Sequence, residues 1–143
     1  MASVKNPLTT YKDNATMAMI ENACRQTLEA TEYVTIVTQG EGGPHLVATW
    51  GDYIRKMGIG DDTLIVPVGY LRETEANLGR DARVQVLAAS RQVQGAHGPG
   101  QGCLLTGVAE ILIDGDLVTK VKEQFPWARG AMFIRVESAK TQL

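Results

Sequence analysis

Tyr33-Val-Thr-Ile-Val-Thr-Gln39, Gly40-Glu-Gly-Gly-Pro44 and His45-Leu-Val-Ala-Thr-Trp50 read in succession as strand, turn and strand. The first run is β-branched at alternate and adjacent positions, and the glycine–proline cluster cannot continue either strand or helix. Working outward, Asp52-Tyr-Ile-Arg-Lys-Met57 is predicted to extend the second strand beyond Gly51, with that glycine marking a bulge or a close backbone approach. Gly58-Ile-Gly-Asp-Asp62 then closes a hairpin into a third strand, Thr63-Leu-Ile-Val-Pro-Val68, and Thr74-Glu-Ala-Asn-Leu78 reads as a short helix. Arg83-Val-Gln-Val-Leu-Ala88 is a fourth strand. The glycine-rich stretch Gly95 to Gly102 is predicted as a loop before a fifth strand, Cys103 to Ile113. Asp116 to Gln124 fits a helix that Phe125-Pro126 ends, and Ala131-Met-Phe-Ile-Arg-Val136 is the last strand. Some six strands joined by short turns, with helices at intervals, predict a mainly β fold: a small barrel with helical caps.

Upstream, residues 1–12 read as a loose arm around Pro7. Asp13 or Asn14 is placed to cap a helix to about Ala30, with Met17, Ile20, Cys24, Thr27 and Leu28 at three- and four-residue steps. The whole is predicted as one domain over residues 1–143, with 1–30 as its N-terminal arm and helix. Hydrophobic residues make up 44% and charged residues 21%, ordinary globular values that exclude a disordered or collagen-like chain. A net charge of −2 argues against a nucleic-acid partner, which calls for a clustered positive surface. No apolar run reaches the roughly 18 residues of a spanning helix, and the first residues carry no signal-peptide pattern, so a cytoplasmic location off the membrane is expected. Cys24 and Cys103 match no paired-ligand spacing. Two buried free thiols are the expectation, with a single disulfide as the alternative.

Catalytic motifs are scarce. Gly-x-Ser-x-Gly, H-E-x-x-H and phosphate-loop patterns are all absent, and His45 and His97 read as polar contacts rather than bases. Aromatics are few, at 6%, yet Trp50 and Tyr53 stand three residues apart. The Gly69 turn leads into a helix start whose free N–H groups, with Arg72 and the Thr74 hydroxyl, suit an anion. One half of such a site stacks a flat ring and the other holds a phosphate. Read alone, these residues also fit ordinary core aromatics beside an ordinary helix start.

A wider pattern resembles a known family. Val34 to Val47 with Thr49-Trp50 and Tyr53, Val66-Pro-Val-Gly69, Thr74-Glu-Ala-Asn77, Ser90-Arg91, Gly98-Pro-Gly100, and Phe125 with Trp127-Ala-Arg129 occur in the order found in small bacterial FMN-binding proteins. These belong to the FMN-binding split-barrel superfamily that includes pyridoxamine 5′-phosphate oxidase. The resemblance runs from about residue 31 to Leu143. It implies a six-stranded antiparallel Greek-key split barrel that forms a homodimer, with FMN at two interface sites. By the same resemblance Ala48, Thr49 and Trp50 line the flavin, Pro67, Val68 and Gly69 pass beside its ring and ribityl chain, and Arg72, Glu73 and Thr74 form the phosphate turn. Tyr53 and Trp127 match aromatics near the ring, Ser90, Arg91 and Gln92 approach from the fourth strand, and Leu143 reaches the partner's flavin.

Three positions depart from that pattern: Glu73 replaces a lysine, Ala48 an asparagine, and Tyr70, also beside the pocket, a glycine. A carboxylate at 73 would repel a dianion. The implied function is an FMN flavoprotein for electron transfer, with a redox protein as possible partner. The alternatives are a flavin-dependent oxidase or reductase of a small substrate and a barrel that has lost FMN. Deazaflavin and haem also occur as ligands in the superfamily.

Overall fold

The computed structural model describes residues 19–143. The predicted arm and the predicted N-terminal helix up to residue 18 lie outside them; of the rest of that helix, residues 19–21 are not helical, and Glu21 is the N-cap of a helix that begins at Asn22. Helix α1 spans Asn22–Ala30, and the strand–turn–strand reading holds as β1 (Tyr33–Gly40) and β2 (Gly43–Trp50). Then come α2 (Gly51–Met57), β3 (Thr63–Val68) and α3 (Arg72–Arg80), followed by β4 (Arg83–Gly95), β5 (Gly98–Leu112), α4 (Asp116–Gln124) and β6 (Gly130–Thr141). All strand pairs are antiparallel, in one sheet ordered β2-β1-β4-β5-β6-β3. Strand β3 thus leaves its sequence neighbours to pair with β6, a Greek-key excursion.

Alternation along the strands explains the curl. Val34 and Ile36 of β1, Val84 and Val86 of β4, Leu105 of β5, Ile134 and Val136 of β6, and Leu64 and Val66 of β3 are all buried in one cluster. A single sheet face can bury both of its flanks in one core only by curling round it, which gives the split barrel. Helix α1 adds Cys24 and Leu28 to that core, the segment before it adds Ile20, α2 adds Ile54, and α3 adds Leu78. A second, smaller cluster under α4 joins Val118, Val121, Phe125, Ala128 and Ala131, with Tyr53 and Ile65 packed against it.

Three expectations are corrected. The segment after Gly51 is a helix, not a continued strand. Gly51 N–H donates to Glu32 O at 2.8 Å, and a Cβ there would run into the Thr31 carbonyl, so the backbone turns tightly at this point. Asp52 in the first turn and Arg55 and Lys56 in the last complement the helix dipole. The glycine-rich segment 95–102 is hairpin, not loop: Gln94 pairs with Pro99 and Gly95 with Gly98, leaving only Ala96 and His97 as the turn. Gly98 and Gly100 take φ of 145° and 113° there, angles that let strand pairing continue through a stretch other residues would break. Finally, Cys24 and Cys103 are not free thiols. They form a disulfide, with Cα atoms 5.3 Å apart, that fastens α1 to β5. Among the described residues no helix is long and apolar enough to cross a membrane.

Candidate functional site

Strand β2 is an edge, and its outward residues Ala48 and Trp50 are exposed while Thr49 is half-buried. Where β2 ends, α2 begins, so Trp50 and Tyr53 are set on either side of one bend. Across from them, the segment after α4 brings Trp127 over the start of the β3–α3 loop. The rings of Tyr53 and Trp127 lie 5.5 Å apart between centroids at 43°, and Phe125 stands 5.0 Å from Tyr53 and 5.7 Å from Trp127. Such tilted arrangements suit the aromatic quadrupole. A Cβ at Gly69 would sit 3.1 Å from Trp127 Cζ3, so the indole rests on bare backbone.

These residues enclose an open cavity of about 470 Å³, within the range of small-ligand sites. Ala48, Thr49, Trp50 and Tyr53 form one wall; Pro67, Gly69, Tyr70, Leu71 and Trp127 form the other. Eight of the residues expected to touch a flavin are thus brought together by three separate parts of the chain. Both tryptophans remain 51% exposed and Tyr70 is 83% exposed, an apolar display that a monomer's core does not absorb.

Leu71, the last lining residue of the β3–α3 segment, is also the N-cap of α3. It takes φ 33° and ψ 40°, the left-handed region, at a cost of about 1–2 kcal/mol for a branched residue. No side chain caps the helix, so its first N–H groups are left for another acceptor. Arg72 and Glu73 are exposed on that first turn, and Thr74 is fully buried. Thr74 Oγ1 has no hydrogen-bond partner among the described residues. Asn77 anchors the helix from below, donating from Nδ2 to Thr38 Oγ1 at 3.0 Å, and Arg80 donates to Asn77 Oδ1 at 2.6 Å.

Glu73, the carboxylate expected to repel a phosphate, is not alone. His45 Nε2 lies 3.4 Å from its Oε1. Glu75 meets Arg129 at 2.8 Å and Arg72 at 3.8 Å. The first turn of α3 therefore gathers two arginines, two carboxylates and an imidazole. An orphan hydroxyl, uncapped N–H groups and nearby guanidinium charge together fit a phosphate-sized anion.

Other predicted residues stand elsewhere in the single chain. Val68 is fully buried in the core and does not line the cavity. Ser90, Arg91 and Gln92 lie at an irregularity in the β4–β5 pairing, where Ser90 Oγ accepts the Gln92 N–H. Leu143 is bound beside the β4–β5 hairpin tip: its N–H donates to Gln101 Oε1 at 2.8 Å and its carbonyl accepts from Ala96. None of these five lines the aromatic cavity of its own chain. Sequence reading missed Leu71, His45, Glu75 and Arg129 as site residues, although Arg129 belongs to a stretch already singled out. Among the described residues no set of three or more His, Cys, Asp or Glu converges as a metal site.

Comparison with known proteins agrees with this architecture. A curated FMN-binding protein of Nitratidesulfovibrio vulgaris (strain DSM 19637 / Miyazaki F) is 41% identical over 125 residues, which cover 87% of this chain and all of that protein. Among solved structures, HupZ of Group A Streptococcus superposes with a TM-score of 0.71 at 17% identity, covering 87% of this chain and all of the other. An FMN-binding protein from Syntrophomonas wolfei gives 0.61 at 14% identity, over 87% of this chain and 86% of that one. At such identities these two structures speak for the fold alone. The family described as pyridoxamine 5′-phosphate oxidase matches residues 20–142, and the chain belongs to it.

Proposed function

We propose that the chain binds FMN and works as an electron-transfer flavoprotein. The observation that carries this reading is the double role of Leu71, which lines the aromatic cavity and begins α3. Ring-binding and anion-binding halves are thereby one continuous site. The isoalloxazine would lie among Trp50, Tyr53 and Trp127 above the bare backbone of Gly69. The phosphate would meet the first turn of α3, with Arg72, the Thr74 hydroxyl and uncapped N–H groups as donors. Bound there, FMN would supply one- and two-electron redox chemistry, and the protein position and electrostatics. Its own residues would exclude water from the ring faces and neutralise the phosphate, and no catalytic acid or base is assigned.

A homodimer is part of the proposal. Paired register puts Tyr33 beside Trp50, and Leu46 beside Val37, on the same outward sheet face. Tyr33, Leu46, Trp50 and Leu87 of that face are 53%, 62%, 51% and 39% exposed, which favours burial against a second copy. Ser90 to Gln92 and Leu143, remote from their own cavity, would then serve the partner's flavin. Cytoplasmic residence and a small redox protein as partner belong to the same reading. The buried Cys24–Cys103 bond would there be shielded from reductants.

An absorption spectrum of the purified protein, with FMN titration and anaerobic reduction, tests it. Flavin bands or tight uptake, bleached by reductant, are expected; no bands and no uptake would refute it. The family membership favours one second reading, an oxidase of pyridoxamine 5′-phosphate, which turnover of that compound with oxygen would establish.

A further inference from the structure

We infer that Arg129 is the positioning residue of the anion-binding turn: its guanidinium rivets the β3–α3 loop to α3 and so makes the site selective for a phosphorylated flavin over the same ring without phosphate. The inference rests on the FMN reading above.

The geometry starts in the sheet. Val68 pairs with Gly130 as the last rung between β3 and β6, and Arg129 N–H adds a bond to Val68 O at 2.8 Å just past it. The side chain of Arg129 consequently emerges beside the strand as it leaves the sheet. Its Nε donates to Gly69 O at 2.6 Å, and one terminal nitrogen donates to Tyr70 O and to Glu75 Oε1, each at 2.8 Å. Glu75 N–H in turn closes the first bond of α3, to Leu71 O at 3.0 Å. Contacts to two successive loop carbonyls and to a carboxylate on the helix therefore bracket Leu71, the residue in the left-handed conformation. A planar fork with fixed donor directions suits that task, and an ammonium on a flexible stem does not.

Two consequences follow. The Gly69 and Tyr70 carbonyls, whose negative ends would oppose an anion, are already engaged. The left-handed turn at Leu71, which aims the first N–H groups of α3, is held against relaxation. The wall formed by Trp50 and Tyr53 belongs to the β2–α2 bend and is untouched, and Arg129 meets the opposite wall only through the Gly69 and Tyr70 carbonyls, so the ring should lose less than the phosphate.

Test variants are Arg129→Lys and Arg129→Ala, with dissociation constants for FMN and riboflavin measured alongside thermal midpoints. Arg129→Lys retains the charge near Glu75 but cannot span both carbonyls and the carboxylate. It should weaken FMN about 10–100-fold and riboflavin by less than about threefold. The alanine variant, if folded, should do at least as much. An unchanged FMN-to-riboflavin ratio in Arg129→Lys would overturn the inference, whether both affinities hold (charge alone suffices) or both fall together (the role is general stability). If the wild-type protein binds neither flavin, the FMN reading itself fails and takes this one with it.

Discussion

Breaking the Cys24–Cys103 bond is the perturbation whose size can be worked most directly. The two cysteines are 79 positions apart, so the bond closes a long loop in the unfolded chain. On the chain-entropy account such a loop contributes about 4.5 kcal/mol, and native disulfides commonly deliver about 2–4. Unfolding 143 residues carries an entropy of about 0.3 kcal/mol per degree, so removal should lower the melting temperature by roughly 7–13 °C. The fold should survive. Ile20 and Leu28 stay buried, and Arg25 still donates to the Ile20, Ile59 and Gly60 carbonyls. The assay is thermal unfolding of the untreated protein against Cys24→Ala, with thiols counted in denaturant before any reductant is added. Two titratable thiols in the untreated, denatured chain would show that the bond is absent. A variant that melts within about 2 °C of the untreated protein would instead refute the loop-entropy reasoning.

Other outcomes follow from the site and its surroundings. Trp50→Ala should raise the fluorescence of bound FMN, because an indole over the ring quenches it; an unaltered emission lifetime would remove Trp50 from the ring wall. Arg72→Glu should weaken FMN by roughly tenfold, whereas Glu73→Lys should tighten it by no more than about fivefold, since the Glu73 side chain is 68% exposed. Isothermal titration that finds Glu73→Lys the weaker binder would contradict the placing of the phosphate. On the surface, the Arg83 side chain, by hydrogen-bonding Asp81, pushes that carboxyl down to about 2. A depressed carboxylate stabilises the fold above its unfolded value and loses that contribution as pH falls through the folded one. Carboxyl NMR of Asp81 should therefore show a midpoint near 2, and an ordinary aspartate midpoint would dissolve the pairing.

The strands were legible because their signal is local. Thr63 to Val68 is β-branched and turn-bounded, and β3 has those bounds. Asp116 to Gln124, closed by Phe125-Pro126, is likewise α4 as read. The sequence misleads at α2 because its apolar residues Tyr53, Ile54 and Met57 follow directly on a strand, where a lone glycine reads as a bulge. What decides the turn is Gly51 pressed against the Thr31 backbone, a contact between residues twenty positions apart that periodicity does not register. The hairpin through Gly95 to Gly102 was hidden for the opposite reason. Glycines normally argue for a loop, and only pairing to the far strand makes their positive φ useful.

At the site the division is sharper. Trp50, Tyr53 and the Gly69 turn could be singled out from short-range spacing, and they do share one cavity. The charge of the phosphate turn could not. Read along α3 alone, Glu73 and Glu75 put two carboxylates in its first turn, which suggests a poor anion site. Their partners come from other elements. His45 reaches Glu73 from β2, and Arg129 reaches Glu75 from a segment 54 residues further on. Paired with the Arg129 and Arg72 guanidinium groups, the Glu75 carboxylate no longer opposes a phosphate as a free one would. The net field at the helix start is thus a tertiary property, set where two sheet edges and a helix meet. Glu73 keeps the His45 imidazole 3.4 Å away and a side chain 68% exposed, so solvent screening limits how far its carboxylate opposes a phosphate.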